Sequence, residues 1–229
     1  MVITIIFIES ALELIPESLR NTPLIRKDWK TTTRKRNRGI LLDTAIHGSI
    51  MTKLSDKEKR GRPDIVFYSL LNLLYSPLVA NNILKIIIHT YTEQCIHIPS
   101  HWRIPVNYNR FVGLFSQLLY KKRIPVEGEP ILSVTRCTLE KLIQKFDHNK
   151  IYLLETPTKI SGNVSSLKSL VDEDAVFIIG GFQSGESSLL FKTNLVSNPN
   201  FQQISLYQET KPAWTISSRL LHMLEDQLL

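Results

Sequence analysis

The sequence is poor in the residues on which several common protein classes depend. Its 229 residues include two cysteines, Cys95 and Cys137, which are too few for a disulfide scaffold and suit a reducing compartment. Its nine glycines form no phosphate loop, no nucleophile elbow and no dinucleotide-binding Gly-x-Gly-x-x-Gly motif. No apolar run approaches the ~18 residues of a membrane span. NTPases, α/β-hydrolases, classical Rossmann methyltransferases and membrane-spanning proteins are therefore disfavoured.

The cysteine and histidine residues that could bind a metal do not have the spacing that a zinc site needs. Cys95, His97 and His101 lie close together, but Pro99 interrupts the segment and no second cluster of ligands matches it. Surface or core side chains are the favoured interpretation, and we expect no metal.

The residues that are present indicate a globular α/β protein. Hydrophobic residues make up 43% of the chain and charged residues 21%. The apolar N-terminus has no basic leader and stops at Glu9, which predicts a buried first strand and not a signal peptide. Strand and helix patterns alternate, so we expect a largely parallel sheet. The predicted strands are residues 2–8, 84–89, 131–134, 150–155, 175–179 and 203–207, and the predicted helices are residues 10–19, 63–75, 107–122, 138–146 and 211–228.

The positive charge is concentrated in one early segment. Residues 20–62 contain thirteen basic and four acidic residues, a net charge of +9, while the remaining fifteen basic and seventeen acidic residues give −2. The densest runs are Arg34-Lys35-Arg36-Asn37-Arg38 and Lys57-Glu58-Lys59-Arg60-Gly61-Arg62. Such clustering is typical of a protein that binds a polyanion, although a solvated loop would show the same pattern.

Glycines follow the strand predicted at residues 175–179. Gly180, Gly181 and Gly185 would let the backbone approach a ligand at the carboxyl end of a parallel strand, where open α/β sheets bind ligands. A plain tight turn is the alternative. Two further strands end near Glu155 and near Tyr207, so the three strand ends would form one pocket.

Arginines accompany two predicted helix starts. Arg62-Pro63-Asp64 places a carboxylate in a first helical turn, where it can cap backbone N–H groups or hold the neighbouring arginine. Arg103 and Arg110 flank a loop-to-helix junction that contains aromatic residues, a pattern seen in proteins that bind single-stranded RNA. Core aromatics with solvated arginines are the alternative.

Taken in order, these motifs resemble a known family. They are Leu41-Leu42-Asp43 with His47 and Met51, Gly61-Arg62-Pro63-Asp64-Ile65, Ser69-Leu70-Leu71, Tyr75-Ser76-Pro77-Leu78, Ile88-His89-Thr90, Arg103-Ile104-Pro105, Asn109-Arg110-Phe111-Val112-Gly113-Leu114, Ile178-Ile179-Gly180-Gly181-Phe182 and Ile204-Ser205-Leu206-Tyr207. Over nearly the whole chain, the pattern is similar to the ribosome-biogenesis pseudouridine N1-methyltransferases of the SPOUT superfamily, and most closely to archaeal members.

The resemblance implies a fold, an activity and partners. It implies a single SPOUT domain over residues 1–229, with a parallel sheet, helices on both faces, a basic RNA-binding elaboration at about 20–62 and a trefoil-knotted cofactor region at about 150–229. It implies a cytoplasmic homodimer that uses S-adenosyl-L-methionine (SAM) to methylate N1 of a pseudouridine in small-subunit rRNA. A non-catalytic rRNA assembly factor and a SPOUT ribose 2′-O-methyltransferase remain alternatives.

The resemblance also assigns site residues. It gives Arg62 and Asp64 a catalytic role, and it gives Arg62, Arg103 and Arg110 contacts with rRNA. The cofactor residues that it implies are Gly180, Gly185, Ile204, Ser205, Leu206, Tyr207, Gln208 and Glu209. Two positions depart from the family pattern: Val106 stands where a basic residue is usual, and Gln208-Glu209 replaces a commoner Pro-Leu-like pair. Residues 156–161 align poorly and receive no role.

Overall fold

The computed structural model describes residues 1–26, 39–155, 174–189, 193 and 195–229, and one sheet runs through its centre. The strands are β1 (Ile3–Ser10), β2 (Leu84–Thr90), β3 (Gln94–Ile98), β4 (Arg123–Ile124), β5 (Leu132–Arg136), β6 (Lys150–Leu154), β7 (Ala175–Gly180) and β8 (Phe201–Ile204). Their order across the sheet is β4-β5-β3-β2-β1-β7-β6-β8. The helices in the described residues are α1 (Thr44–Met51), α2 (Pro63–Leu74), α3 (Pro77–Ala80), α4 (Tyr108–Lys121), α5 (Leu139–Gln144) and α6 (Ala213–Leu228).

The sheet is mixed, so the expectation of a largely parallel sheet is only partly right. Strands β2, β1, β7, β6 and β8 are parallel to one another. Strands β3, β5 and β4 extend the β2 edge in antiparallel fashion. The antiparallel part begins at a tight turn, in which Glu93 adopts a left-handed backbone conformation (φ 54°). This short turn returns the chain directly beside β2, whereas a parallel neighbour would need a long crossover.

Strand β1 lies in the middle of the sheet because its β-branched residues are buried on both faces. Ile5 and Phe7 belong to the larger apolar cluster, which includes residues of α2, α4 and α6. Ile6 and Ile8 belong to the cluster on the opposite side, with residues of α5. Helices therefore cover both faces of the sheet, as expected.

Helix boundaries follow local chemical signals. Proline occupies the first position of α2 and of α3, where its missing N–H has no cost. Asn107 caps α4 by accepting a hydrogen bond from the Arg110 N–H (3.1 Å), and Lys122 ends that helix in a left-handed conformation. Helices α2 and α4 are confirmed, each within one residue of its predicted bounds.

The helix predicted at residues 10–19 is wrong. Strand β1 extends to Ser10, and the only helical turn in that segment is a short 3-10 turn at Glu17–Leu19. Between them, the chain pairs with residues 40–42: Leu42 donates its N–H to the Glu13 carbonyl (2.9 Å) and Ile15 donates to the Ile40 carbonyl (2.8 Å). Sheet-like pairing with a distant segment thus replaces the local helix.

Two predicted features fall outside the described residues. The run from Arg34 to Arg38 belongs to residues 27–38, and part of the expected knotted region belongs to residues 156–173. Within the described part of the chain, no helix is long and apolar enough to cross a membrane.

Candidate functional site

The start of α2 presents a guanidinium and a carboxylate as a rigid pair. Arg62 Nε lies 2.8 Å from Asp64 Oδ1, and Nη2 lies 2.7 Å from Oδ2, so the contact is bidentate. The two side chains are 25% and 26% exposed. The hydrogen bonds to Asp64 raise the pKa of Arg62 above its ordinary value. The sequence-predicted pair is therefore brought together, with one edge open to solvent.

The arginine also contacts the segment after β7, which we call the glycine loop (residues 180–188). Arg62 Nη1 donates a hydrogen bond of 2.7 Å to Gln183 Oε1. The Arg62 backbone N–H donates to the Ala11 carbonyl (3.0 Å), which fixes the start of α2 against the end of β1. Sequence reasoning did not pair Gln183 with Arg62, because the two residues lie 121 positions apart.

The backbone of the glycine loop is clamped at Gly181. Its N–H donates to the Ile8 carbonyl, and its own carbonyl accepts from the Ala11 N–H, both at 2.8 Å. A Cβ at this position would lie 2.3 Å from Ser10 Oγ and 2.8 Å from Ser10 Cα, so no other residue fits without a shift. Gly185 adopts φ +99°, which side chains rarely allow. Gly181 is therefore required by the close approach of two backbones, and Gly185 by its backbone conformation.

The end of β6 adjoins both the glycine loop and the end of β8. The Glu155 N–H donates to the Ile204 carbonyl (3.2 Å), and Ser187 Oγ donates to Glu155 Oε1 (2.7 Å). A small pocket lies at this edge, lined by Leu154, Glu155, Ser205, Leu206, Tyr207, Glu209, Lys211 and Ile216. The pocket therefore joins the ends of β6 and β8, two of the three strand ends expected to form it, and no residue of the glycine loop is among its lining residues.

The unexpected acid in the last loop has a partner. Glu209 Oε2 lies 3.0 Å from Lys211 Nζ at the protein surface, and this contact lowers the pKa of the Glu209 carboxyl. Sequence reasoning named Glu155 but passed over Lys211 and Ile216 as members of the pocket. Their positions just before α6 and in its first turn were the available signal.

Tyr108 lies beside the Arg62–Asp64 pair and was only an aromatic neighbour in the sequence analysis. Its hydroxyl donates a 2.8 Å hydrogen bond to Asp43 Oδ2, while Asp43 caps α1 by accepting from the Ala45 N–H (2.9 Å). Burial raises the pKa of the Tyr108 phenol, and the bond to Asp43 and the charges of Asp43 and Asp64 raise it further. The phenol therefore stays protonated and acts as a hydrogen-bond donor.

Arg103 and Arg110 are exposed, and neither guanidinium forms an ion pair with any residue that the structure describes. Arg103 lies between Trp102 and Ile104, which are 8% and 4% exposed and anchor that loop in the core. Arg110 occupies the first turn of α4, one residue before the fully buried Phe111. Both arginines are thus held outward by buried neighbours, with their charges available to a ligand.

The basic segment is partly neutralised within the protein. Lys59 Nζ lies 3.2 Å from Glu9 Oε2, and Arg60 makes a bidentate contact with the buried Glu13, with Nε–Oε1 and Nη2–Oε2 distances of 2.7 Å. Because Arg62 is also paired, the end of this segment has less free charge than its sequence indicates. The sequence analysis missed both acids.

No group of three or more His, Cys, Asp or Glu side chains among the described residues is arranged to hold a metal ion. Cys95 and Cys137 are free and buried. His97 lies on β3, and burial lowers the pKa of its imidazole.

A glycine loop, a small recess at the ends of parallel strands and an arginine–carboxylate pair lie at the edge of the sheet where open α/β proteins bind ligands, which is typical of an α/β enzyme. A family model described as EMG1/NEP1 methyltransferase matches residues 5–225. The chain belongs to this family.

Individual relatives agree with the family match. The chain is 39% identical over 220 residues to the ribosomal RNA small subunit methyltransferase Nep1 of Staphylothermus marinus, covering 96% of this chain and 93% of the relative. It is 32% identical over 225 residues to the protein of the same name from Thermococcus kodakarensis, covering 98% of each. The crystal structure of Archaeoglobus fulgidus Nep1 bound to S-adenosylhomocysteine (SAH) superposes with a TM-score of 0.82 at 31% identity and covers 99% of both chains.

Proposed function

We propose that this protein uses SAM to methylate N1 of a pseudouridine in small-subunit rRNA during ribosome biogenesis. One observation supports this most strongly. The Arg62 guanidinium bonds Asp64 on one side and Gln183 of the glycine loop on the other. A charged group that can face a base then lies next to the segment expected to bind the methyl donor. The names of the relatives supply the rRNA class, and the pseudouridine follows from the family resemblance.

The cofactor residues in this proposal are those that the resemblance assigned. Gly180 and Gly185 belong to the glycine loop, and Ile204 to Glu209 run from the end of β8 into the pocket described above. Ser205 Oγ donates to the Tyr207 carbonyl (2.7 Å), which tightens that turn. Leu154 and Leu206 give this pocket apolar walls, of the kind that contact the nucleoside part of a cofactor. When bound, SAM would supply an electrophilic methyl group.

The chemistry of the target explains why so few groups are needed. Pseudouridine carries a weakly acidic N1–H, whereas N1 of uridine is bonded to the sugar, so only pseudouridine becomes a nucleophile by losing that proton. Arg62 would stabilise the negative charge that develops on the base. Asp64 would hold the guanidinium in place. Since both of its carboxylate oxygens already bond Arg62, orientation is favoured over direct proton acceptance, and the N1 proton would leave to solvent water.

The RNA side of the site would consist of Arg62, Arg103 and Arg110. The latter two carry no internal ion pair in the described residues and can bind phosphates, while the target base flips from its stack to reach Arg62. Val106 is 65% exposed and supplies an apolar surface where the family usually has a charge. One phosphate contact is therefore absent from this position.

The proposal includes the remaining family features. They are a single SPOUT domain over residues 1–229 with a C-terminal trefoil knot, a basic RNA-binding elaboration at about 20–62, a homodimer, and action in the cytoplasm. Light scattering coupled to size-exclusion chromatography tests the dimer, because a mass near 26 kDa would contradict it.

The enzymatic proposal is tested with labelled SAM and two hairpin RNAs that differ only in carrying uridine or pseudouridine at one loop position. Transfer of label to the pseudouridine hairpin alone is expected. Equal labelling of both hairpins would point to ribose methylation. RNA binding without any labelling would point to an assembly factor.

A further inference from the structure

Glu9 is a buried carboxylate at the end of β1 to which the function above gives no role. It is 6% exposed, and its backbone adopts φ 48°, a left-handed conformation that is unfavourable for a residue with a side chain. The pairing of β1 with β2 shifts register between Phe7 and Ser10, at the same place. The fold therefore bends at Glu9 and turns its side chain inward.

Both carboxylate oxygens of Glu9 bond groups from two distant segments. Oε2 accepts from the Ser188 backbone N–H (2.9 Å) and from Lys59 Nζ (3.2 Å), while Oε1 accepts from Ser188 Oγ. Ser188 closes the glycine loop, and Lys59 lies three residues before Arg62. One carboxylate thus bridges the loop expected to bind the methyl donor and the stretch that carries the arginine.

The surroundings of Lys59 strengthen this bridge. Its Nζ lies 4.8 Å from the centre of the Phe182 ring, and its Cε would lie 3.6 Å from a Cβ added at Gly185. Lys59 is therefore enclosed by the glycine loop on one side and by Glu9 on the other. Burial would raise the pKa of Glu9, but the bonds from Ser188 and the charge of Lys59 lower it overall, so the carboxylate is ionised at neutral pH.

We propose that Glu9 is a positioning residue. It fixes the glycine loop against residues 59–62, and so holds the methyl donor and Arg62 at a constant distance and orientation relative to each other. The inference rests on the cofactor site proposed above. Glu13 is the natural comparison, because it bonds Arg60 in the same stretch and forms no hydrogen bond or ion pair with the described residues of the glycine loop. Two buried acids thus anchor one basic stretch, and only Glu9 also reaches the glycine loop.

The test compares Glu9→Gln with Glu13→Gln in the full-length protein. Glu9→Gln keeps the shape but removes the charge that Lys59 and Ser188 share, so we expect the dissociation constant for SAH, measured by calorimetry, to rise about tenfold. Glu13→Gln should lower the melting temperature but change that constant less than threefold. Ser188→Ala should weaken SAH binding in the same direction, and combining it with Glu9→Gln should add little, because both act through one contact.

Two results would overturn the inference. One is SAH binding by Glu9→Gln equal to that of the unaltered protein. The other is equal weakening by Glu9→Gln and Glu13→Gln, which would indicate general loosening of the stretch. If Glu9→Gln does not fold, Ser188→Ala alone decides, and wild-type affinity for SAH would then refute the role. SAH binding does not depend on which atom is methylated, so failure of the pseudouridine proposal leaves this test valid.

Discussion

Replacing Asp64 by asparagine tests the arginine–carboxylate pair with the smallest change of shape. The carboxylate now accepts both guanidinium bonds, at 2.8 and 2.7 Å. Asparagine can accept only one of them, because its amide group turns two donors toward Arg62. The guanidinium would keep its contact with Gln183 and lose its fixed orientation toward the base.

The size of the effect follows from these contacts. A hydrogen bond to a charged group contributes about 1.5–3 kcal/mol, and the pair is about a quarter exposed, so solvent reduces its value toward the lower end. Losing one bond and the orientation it provides should raise the barrier by roughly 1.5–2 kcal/mol, which lowers the rate constant for methyl transfer by about 10- to 30-fold. Asp64 bonds no residue of the glycine loop among those described, so SAH affinity should change less than threefold.

The assay is single-turnover transfer of labelled methyl to the pseudouridine hairpin, with SAH binding measured in parallel. Glu17→Gln is a suitable control, because the Glu17 side chain is 92% exposed and pairs with Arg20 at the surface. An unaltered rate for Asp64→Asn would refute the orienting role. An equal loss of rate and of SAH binding would show that the substitution disrupts the fold and not the chemistry.

Three further predictions concern the loop, the buried acid and the RNA face. Gly181→Ala would place a Cβ 2.8 Å from backbone of β1 and should destabilise the protein by about 1–3 kcal/mol in thermal denaturation, whereas Gly113→Ala, which meets nothing within 4 Å, should be neutral or stabilising. The lowered pKa of Glu9 means that its contribution to stability is present above the ordinary glutamate pKa of about 4.3 and is lost as the pH falls below it. The melting temperature of Glu9→Gln should therefore fall less than that of the unaltered protein between about pH 5 and 3, and parallel curves would contradict this linkage. Replacing Arg103 or Arg110 by glutamine should reduce the slope of log affinity for RNA against log salt by about 0.7–1 each, with SAH binding unchanged, and an unaffected slope would exclude a phosphate contact.

Local signals in the sequence were sufficient for the elements that position the site. Pro63 at a helix start and the caps of α4 act within one helical turn, so their effect can be predicted from neighbouring residues. The β-branched composition of β1 and β7 likewise predicts buried strands. The Arg62–Asp64 contact spans two residues and follows from the same local geometry.

Such local signals could not predict the contacts between distant segments. The bonds from Glu9 to Ser188 span 179 residues, and the pairing of residues 13–15 with 40–42 replaced a predicted helix. The strand predicted at 203–207 lies at Phe201–Ile204, so most of the last cofactor segment belongs to a loop. Each of these depends on register in the folded sheet, which no short window of sequence contains.

The central claim concerns which atom receives the methyl group, and mass spectrometry of the product tests it most directly. The pseudouridine hairpin would be incubated with SAM and the protein, then digested to nucleosides. The account predicts one methyl group on the base fragment of pseudouridine and none in the uridine hairpin. A methyl group on the ribose fragment, or none on either RNA while SAH still binds, would contradict it.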